Sequence, residues 1–239
     1  RKCINFDDHF ATYMSEWVTA HQHEYKNYDE MEDDMPQVYM AFLNTPAKWL
    51  DDVTPGAYFS QFEDAKDLVD WLKEYCDKQI PVPDLLLDQI EFVGKPCEKR
   101  LVELLKDPEA TDDARMTAVG LLREMKSTLP KMLYIDWQIN REREDELKDN
   151  ALESLTDMGQ VVVQEILQVL PKANQWGREA FLEVLANYPG PEAVCGQYHQ
   201  LDPTPFQKAS ALTVDAQSRL WIAADMQLYL YRPEIGAFS

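Results

Sequence analysis

The feature that most constrains the fold of this chain is a passage that it contains twice. The segment LDQIEFVGKPCEKRLVELL begins at Leu87, and LESLTDMGQVVVQEILQVL begins 65 residues later at Leu152. Gly94 aligns with Gly159, and the apolar residues on both sides of the two glycines align as well. Self-similarity at a fixed period is typical of proteins that are built from stacked structural units.

Apolar triplets extend this pattern to four units. Each triplet has the spacing i, i+3, i+6, and successive triplets lie 30 to 33 residues apart. The triplets are Leu87/Ile90/Val93, Val119/Leu122/Met125, Leu152/Leu155/Met158 and Leu182/Leu185/Tyr188. Because residues three apart share one face of a helix, the triplets predict an amphipathic helix in every unit.

A second apolar pattern, i, i+4, i+7, i+8, follows each triplet. It comprises Cys97/Leu101/Leu104/Leu105, then Leu129/Leu133/Trp137, then Val162/Ile166/Val169/Leu170, and more loosely Val194/Tyr198/Leu201. Gly94 and Gly159 are predicted at helix C-termini, where a left-handed residue is favoured. Each unit is therefore predicted to be two helices joined by a short turn, and such pairs stack because one pair alone cannot bury its apolar face.

Three of the predicted first helices share further residues. The segments DDARMTAVGLLREM, DELKDNALESLTDMG and QWGREAFLEVLANYPG each carry a basic residue three positions before a small or aromatic residue. The basic residues are Arg115, Lys148 and Arg178. In this pattern the chain resembles the HEAT repeat in its short bacterial form. The resemblance covers roughly residues 83–201 and implies an all-α, right-handed α-α solenoid of four to five helix pairs.

The period divides the chain into three predicted parts: an acidic N-terminal helical module (1–80), the HEAT-like repeats (81–202) and a C-terminal cap (203–239). The prolines of KQIPVPD, Lys78–Asp84, predict the first boundary. Within the N-terminal module we expect a helix carrying Phe10, Met14, Trp17 and Val18 and another over about 64–78. Thr45–Pro46 and Thr54–Pro55 are each expected to open a short helix, and DEMEDD (29–34) is expected to be an exposed loop.

The C-terminal part is compatible with two structures. A fifth helix pair is one, because Lys208, Ala211 and Leu212 continue the basic and apolar spacing. A β-hairpin is the other, because RLWIA and QLYLYR are rich in residues that favour strands.

Charge and cysteine usage exclude several classes of function. The net charge of −20 argues against binding to nucleic acid or to an anionic membrane surface, and it favours a protein or peptide partner of basic or mixed charge. The four cysteines lie far apart without a CxxC pair, which argues against a zinc site and suits the reducing cytoplasm. No apolar run approaches the ~18 residues of a membrane span.

The usual catalytic motifs are absent from the sequence, which has no GxSxG, P-loop, GxGxxG or HExxH. His21 and His23 would point in different directions on a helix. Asp51–Asp52 and Asp112–Asp113 are expected at helix starts, where carboxylates cap backbone N–H groups. We therefore predict no catalytic, cofactor-binding or metal-binding residue.

Six residues are candidates for binding a partner. Equivalent positions of stacked repeats line up on one face, so Arg115, Lys148 and Arg178 predict either a basic stripe or a row of structural ion pairs. Aromatic residues at or beside the predicted turns are either binding or core residues. They are Tyr134, Trp137 and Trp176.

These observations predict a non-catalytic interaction scaffold of the HEAT type. Because the residues between the apolar positions differ from unit to unit, we expect one non-repetitive protein partner that contacts one or two units. Two alternatives remain open. One is an enzyme on a HEAT-like scaffold, of the lyase or the DNA-glycosylase type, and the other is an acidic inhibitor or immunity protein that mimics nucleic acid.

Overall fold

A computed structural model of the chain describes residues 2–188, 209–214, 220–224, 227–232 and 237–238. The chain divides into two compact units, Arg1–Tyr188 and Pro189–Ser239. Among the described residues the first unit contains eleven α-helices, and the second contains an antiparallel β-sheet. The fold is therefore mostly helical, as the sequence predicted, with a small sheet added at its C-terminal end.

The N-terminal part of the first unit contains four α-helices and four short 3-10 turns. The helices are α1 (Phe6–His21), α2 (Tyr28–Glu32), α3 (Met35–Asn44) and α4 (Ala65–Asp77). The 3-10 turns are Gln22–Glu24, Lys48–Leu50, Pro55–Ala57 and Phe59–Gln61. The two longer helices confirm the prediction, and both begin after a side chain that caps backbone N–H groups, Asn5 for α1 and Asp64 for α4.

The acidic DEMEDD segment is a short helix and not the loop that we predicted. The Asn27 side chain accepts a hydrogen bond from the backbone N–H of Glu30 at 2.9 Å and so caps α2. Met31 is 8% exposed. The segment therefore folds because one apolar residue is buried among its carboxylates.

Two further local predictions were wrong. Thr45 ends α3 and does not open a helix, whereas Thr54–Pro55 does open a 3-10 turn. Asp51 and Asp52 lie after a 3-10 turn with φ values of 55° and 65°, so they are left-handed residues that end a turn. Asp tolerates this conformation better than most residues, which a sequence pattern for helix starts does not consider.

Aromatic rings form the core of the N-terminal part. Phe59 packs against Phe6 and Trp71 with ring centroids 5.5 Å and 5.1 Å apart. Tyr75 of α4 is fully buried, and its hydroxyl both accepts from the backbone N–H of Ile4 and donates to the Ile4 carbonyl, at 3.0 Å each. This side chain therefore ties the start of the chain to a helix 71 residues further on.

Seven further helices follow in the order of the predicted units. They are α5 (Asp84–Val93), α6 (Lys95–Lys106), α7 (Asp112–Glu124), α8 (Lys131–Ile139), α9 (Glu146–Asp157), α10 (Val163–Val169) and α11 (Gln175–Ala186). Helix α7 contacts α9, α9 contacts α11, and α8 contacts α10. Helix α4 packs against α5, α6 and α7, so the aromatic part continues directly into the helix pairs.

The apolar triplets mark the buried face of the first helices. Their central residues are all buried: Ile90, Leu122, Leu155 and Leu185. Of the eight outer residues, Val119 and Leu152 are buried, Leu182 is 43% exposed and the other five are half-buried. The second helix of the first helix pair, α6, also agrees with the prediction, because all four of its predicted apolar residues are buried.

The stripe predicted for α8 is wrong by one residue. Tyr134, Ile135 and Gln138 are buried there, whereas Leu129 is exposed. Pro130 is the N-cap residue of α8, so Leu129 lies in the preceding turn and the helix begins in a different phase. Val194, Tyr198 and Leu201, predicted for the fourth unit, lie outside the described residues.

Gly94 and Gly159 adopt the positive φ values that were expected, 73° and 77°. Gly94 has a ψ of −129°, which differs from the left-handed helical region and is essentially restricted to glycine. The residue ends α5 and directly precedes α6, so one glycine reverses the chain between two helices.

The sheet of the second unit contains β1 (Ala209–Val214), β2 (Leu220–Ala224), β3 (Gln227–Arg232) and the two-residue β4 (Ala237–Phe238). The strands pair antiparallel in the order β1-β2-β3-β4. Residues 220–223 of RLWIA lie on β2 and QLYLYR forms β3, which confirms the hairpin, and the predicted fifth helix pair is wrong.

Two observations concern the environment of the chain. Across the described ranges, no helix is both long and apolar enough to span a bilayer. Cys76 and Cys97 are buried free thiols, as predicted, and Cys195 lies outside the described residues.

Candidate functional site

Four large apolar side chains are exposed at the turns between paired helices. Phe92 is 82% exposed at the end of α5, Leu129 is 54% and Met132 56% exposed at the start of α8, and Val161 is 50% exposed before α10. We refer to these four residues as the turn edge. Exposed apolar side chains that group together are typical of protein-interaction surfaces.

Polar contacts place the three turns side by side. The Ser127 hydroxyl, in the turn after α7, donates to the Glu98 carboxylate at the start of α6 at 2.6 Å. The Lys131 ammonium donates to the Val161 carbonyl at 3.1 Å and to the Glu165 carboxylate. Each turn therefore contacts the next one, and the four side chains of the turn edge belong to three successive turns.

A cavity of about 750 Å³ adjoins the turn edge. Its lining includes Leu122 of α7, Ser127 and Thr128 from the turn after α7, Tyr134 of α8 and Met158 after α9. The cavity lies between the second helix pair (α7 and α8) and the third (α9 and α10). It is large enough for a side chain or a small molecule.

The hydroxyl of Tyr134 is the unusual feature of this cavity. The side chain is fully buried, and its hydroxyl has no hydrogen-bond partner among the described residues. Burial raises the pKa of Tyr134, so the hydroxyl keeps its proton at neutral pH. A buried hydroxyl without a partner costs free energy, and an acceptor supplied by a bound group would remove that cost.

Arg123 fixes one rim of the cavity. Its guanidinium donates to Glu153 at 2.7 Å and to Asp157 at 2.5 Å, and both carboxylates belong to α9. These bonds join the second helix pair to the third and hold α7 against α9 at the rim of the cavity. The charge of Arg123 is thereby neutralised by the protein itself.

The surface beside Phe92 is acidic. Burial raises the pKa of the Glu91 carboxyl, and the nearby carboxylates of Asp88 and Glu124 raise it further. Because Asp88 and Glu124 lie within electrostatic range of Glu91, these three residues form an acidic patch next to an exposed aromatic ring. A basic group placed there would be stabilised.

Three of the six predicted binding residues come together elsewhere. Arg115, Trp137 and Lys148 line a groove of about 420 Å³, with leucines from α6, α8 and α9 beside them. The Arg115 guanidinium donates to the Asp107 carbonyl at 2.7 Å. The Lys148 ammonium pairs with Asp145 at 2.8 Å. Both cations therefore have partners within their own units.

The other predicted residues are spread over α8 and α11. Tyr134 lies in the cavity, and its ring centroid is 5.6 Å from that of Trp137. Trp176 lies under the guanidinium of Arg143, 5.4 Å from its carbon to the ring centroid. Arg178 donates to the Pro171 carbonyl at 3.3 Å. Arg115 and Arg178 thus make the same kind of contact, each bonding a carbonyl just before its own helix.

The turn edge itself was missed in the sequence. Phe92 and Val161 fall between the apolar positions that define the period, and Leu129 was assigned to a buried stripe. An apolar residue that stands outside the repeated positions was the available signal, because packing does not explain it.

Other polar candidates have structural roles. Asp112 and Asp113 occupy the first turn of α7, as predicted. His21 makes a 2.8 Å contact through Nδ1 with the Trp17 carbonyl. Among the residues that the structure describes, no group of three or more His, Cys, Asp or Glu is placed to hold a metal ion.

Comparison of the chain with protein-family models, with curated proteins and with solved structures finds no match. The HEAT resemblance therefore remains a prediction from the residue pattern.

Proposed function

We propose that this chain is a non-catalytic protein-interaction scaffold whose helix pairs form a short α-α solenoid of the HEAT type. The contacts of α7 with α9, α9 with α11 and α8 with α10 support a serial arrangement. The equivalent buried residues Ile90, Leu122, Leu155 and Leu185 support it as well, because stacked units bury the same face in turn.

The observation that carries the proposal is the turn edge. It exposes four large apolar side chains at neighbouring turns: Phe92, Leu129, Met132 and Val161. Such exposure promotes aggregation unless a partner covers it, and aromatic residues and methionine are enriched at interfaces.

The chemistry around the edge defines the partner. An apolar segment would cover the four side chains, and a Lys or Arg near it would pair with Asp88, Glu91 and Glu124. The partner is therefore a protein or peptide of mixed apolar and basic character. The turns differ in sequence, so the partner is non-repetitive and contacts neighbouring units.

The cavity supplies specificity. One side chain of the partner would enter it and offer an oxygen acceptor to the Tyr134 hydroxyl. A site that leaves a buried donor unpaired discriminates strongly between ligands that satisfy it and ligands that do not.

Affinity capture with matched variants tests this function. The full chain, Phe92→Ser/Met132→Ser and the control Leu212→Ser/Leu228→Ser would each be used as bait in a lysate of the organism that produces the protein. Leu212 and Leu228 are 63% and 62% exposed, so the control removes comparable apolar surface from the sheet. We expect one protein to be retained by the full chain and the control and lost with the edge variant.

Two outcomes would contradict the proposal. One is that every captured protein binds the edge variant as well as it binds the full chain, at unchanged melting temperature. The other is that the purified chain converts a small substrate and captures no protein.

The compartment and the alternatives belong to the same proposal. The free thiols of Cys3, Cys76 and Cys97 support a reducing compartment such as the cytoplasm. An enzyme of the lyase or glycosylase type, or an acidic inhibitor that mimics nucleic acid, remains an alternative, but the contacts at the turn edge favour neither.

A further inference from the structure

A second pocket lies in the N-terminal part, between α1 and the segment that follows α3. We call it the aromatic pocket and define it by His9, Tyr13, Glu16, Phe42 and Trp49, which line it. Its volume is about 250 Å³. That is below the roughly 300–1,000 Å³ of sites for drug-sized ligands, so the pocket suits a small group.

Aromatic rings surround much of this space. The Phe42 ring lies 5.5 Å from Tyr13 and 6.4 Å from Trp49, centroid to centroid. The His9 ring stacks on Trp49 at 3.9 Å with an interplanar angle of 4°, which fixes the indole. The faces of aromatic rings are electron-rich and attract cations that come within about 6 Å of a ring centroid.

The remaining lining determines which cation fits. Pro46, Ala47 and Pro55 contribute apolar surface, and Glu16 contributes a carboxylate. The hydroxyls of Thr12 and Thr45 also line the pocket, and both donate to backbone carbonyls of their own helices. Glu16 is exposed at the rim, and no cationic partner is recorded for it in the described part of the chain. The pocket therefore combines aromatic side chains, apolar surface and the exposed carboxylate of Glu16.

We propose that the aromatic pocket binds a quaternary alkylammonium head group. A primary ammonium carries three N–H donors that lose water on entry, and a lining made mostly of aromatic and apolar residues offers few acceptors in exchange. A trimethylammonium group has no N–H donor, and its methyl groups contact rings and prolines while its charge interacts with the rings and with Glu16. The site lies on α1 and α3 and does not depend on the function proposed for the turn edge.

Two sources present this chemistry: a choline-type small molecule and a trimethylated lysine in a polypeptide. Titration followed by NMR distinguishes them, with the N-methyl proton signal as the readout. The probes are choline, a short peptide containing trimethyllysine, the same peptide with unmodified lysine, and 3,3-dimethyl-1-butanol, a neutral molecule of the same shape as choline. Aromatic ring currents shift N-methyl protons that enter the pocket upfield.

We expect choline to bind about tenfold more tightly than its neutral analogue, because only choline carries the charge that the rings attract. We expect the trimethyllysine peptide to bind more tightly than the lysine peptide. Equal binding of choline and the peptide would identify the head group as the whole ligand, and tighter binding of the peptide would identify a methylated protein segment. Both results support the proposal.

Variants separate the pocket from non-specific binding. Glu16→Gln should weaken choline binding about two- to fivefold, as expected for an exposed charge interaction. Tyr13→Ala should weaken it further, and Glu32→Gln, an exposed carboxylate of α2, should have no effect. The melting temperature of each variant shows whether the fold is retained.

Three results would overturn the proposal. The first is that neither choline nor the trimethyllysine peptide binds detectably. The second is that choline and its neutral analogue bind with equal affinity. The third is that Glu16→Gln and Tyr13→Ala bind choline as tightly as the full chain does.

Discussion

The two parts of the helical unit bury their apolar residues in different ways. In residues 2–80 aromatic rings from several short elements meet at irregular angles around Phe59 and Trp71. From α5 to α11 aliphatic residues at repeated positions bury one face of each first helix, as Leu122 and Leu155 do. The first part is packed like an ordinary irregular core, whereas the second part repeats one kind of packing contact from helix to helix.

This difference affects where each part can bind. In the first part, mutually packed rings from α1, α3 and the 3-10 turns enclose the small space of the aromatic pocket. Repeated packing requires only one face of each first helix to be buried, so side chains at the turns, such as Phe92, and at the start of α8, such as Met132, can be exposed. Binding surfaces therefore arise at gaps in the first part and at edges in the second.

Leu155→Ala tests the repeated contact most strongly. Leu155 is fully buried at the centre of its triplet, and we expect its truncation to destabilise the protein by about 2–5 kcal/mol. Denaturant unfolding measures the change. Leu182→Ala is the control, since an exposed leucine should change stability by less than about 0.5 kcal/mol. Equal effects of the two would show that the buried face is not the one described.

Gly177→Ala tests how closely the helix pairs approach each other. A Cβ atom at Gly177 would lie 2.2 Å from the Gln138 carbonyl oxygen, so α11 must move away from α8. We expect a loss of about 3 kcal/mol, at the upper end for an overpacked site. Gly120→Ala is the matched control in another first helix. An added Cβ there meets no atom within 4 Å, and we expect a gain of about 0.5–1 kcal/mol. If both substitutions destabilised the protein, the loss would come from replacing a helical glycine and not from the close approach of α11 to α8.

Tyr75→Phe and Tyr134→Phe compare the two parts directly. Tyr75 bonds both backbone groups of Ile4, and burial raises its pKa to about 12, so we expect its loss to cost about 1–3 kcal/mol. The Tyr134 hydroxyl has no partner among the described residues, so Tyr134→Phe should leave stability unchanged or raise it. Thermal unfolding of both variants checks this. A large loss of stability with Tyr134→Phe would mean that the hydroxyl is hydrogen-bonded within the free protein and is not available to a ligand.

Glu165→Gln has the smallest expected effect. The hydrogen bond from Lys131 lowers the pKa of the Glu165 carboxyl below its ordinary value of 4.5. The pair therefore stabilises the folded state above pH 4.5, and that contribution is lost as the pH falls through the lowered pKa. We expect a loss of about 1 kcal/mol or less at pH 7 that disappears in acid. Glu144→Gln, an exposed carboxylate, should show no such pH dependence; a constant difference for Glu165→Gln at every pH would contradict the ion-pair account.

The sequence predicted the repeated helices well because their packing is periodic. Positions such as Ile90 and Leu185 share one environment, so the pattern of apolar residues is enough to locate them. The C-terminal hairpin was also recognisable, from the strand-forming residues Trp221, Tyr229 and Tyr231.

The errors fall where a single local contact decides the structure. Pro130 sets the start of α8 and shifts its buried face by one residue. Asn27 and Met31 convert an acidic run into a helix. The candidate sites were missed for a related reason, because the aromatic pocket joins residues from α1 and α3 that no spacing relates, and Phe92 lies outside the period.

Hydrogen–deuterium exchange with the captured partner tests the central claim most directly, namely that the turns of neighbouring helix pairs form the binding edge. Amide exchange would be measured with and without the partner for the full chain and for Phe92→Ser/Met132→Ser. The account predicts slower exchange on binding in the turns at 92–96, 126–132 and 158–163, and no such slowing in the variant. Slowing confined to α1–α3 or to the sheet, with the three turns unchanged, would contradict it.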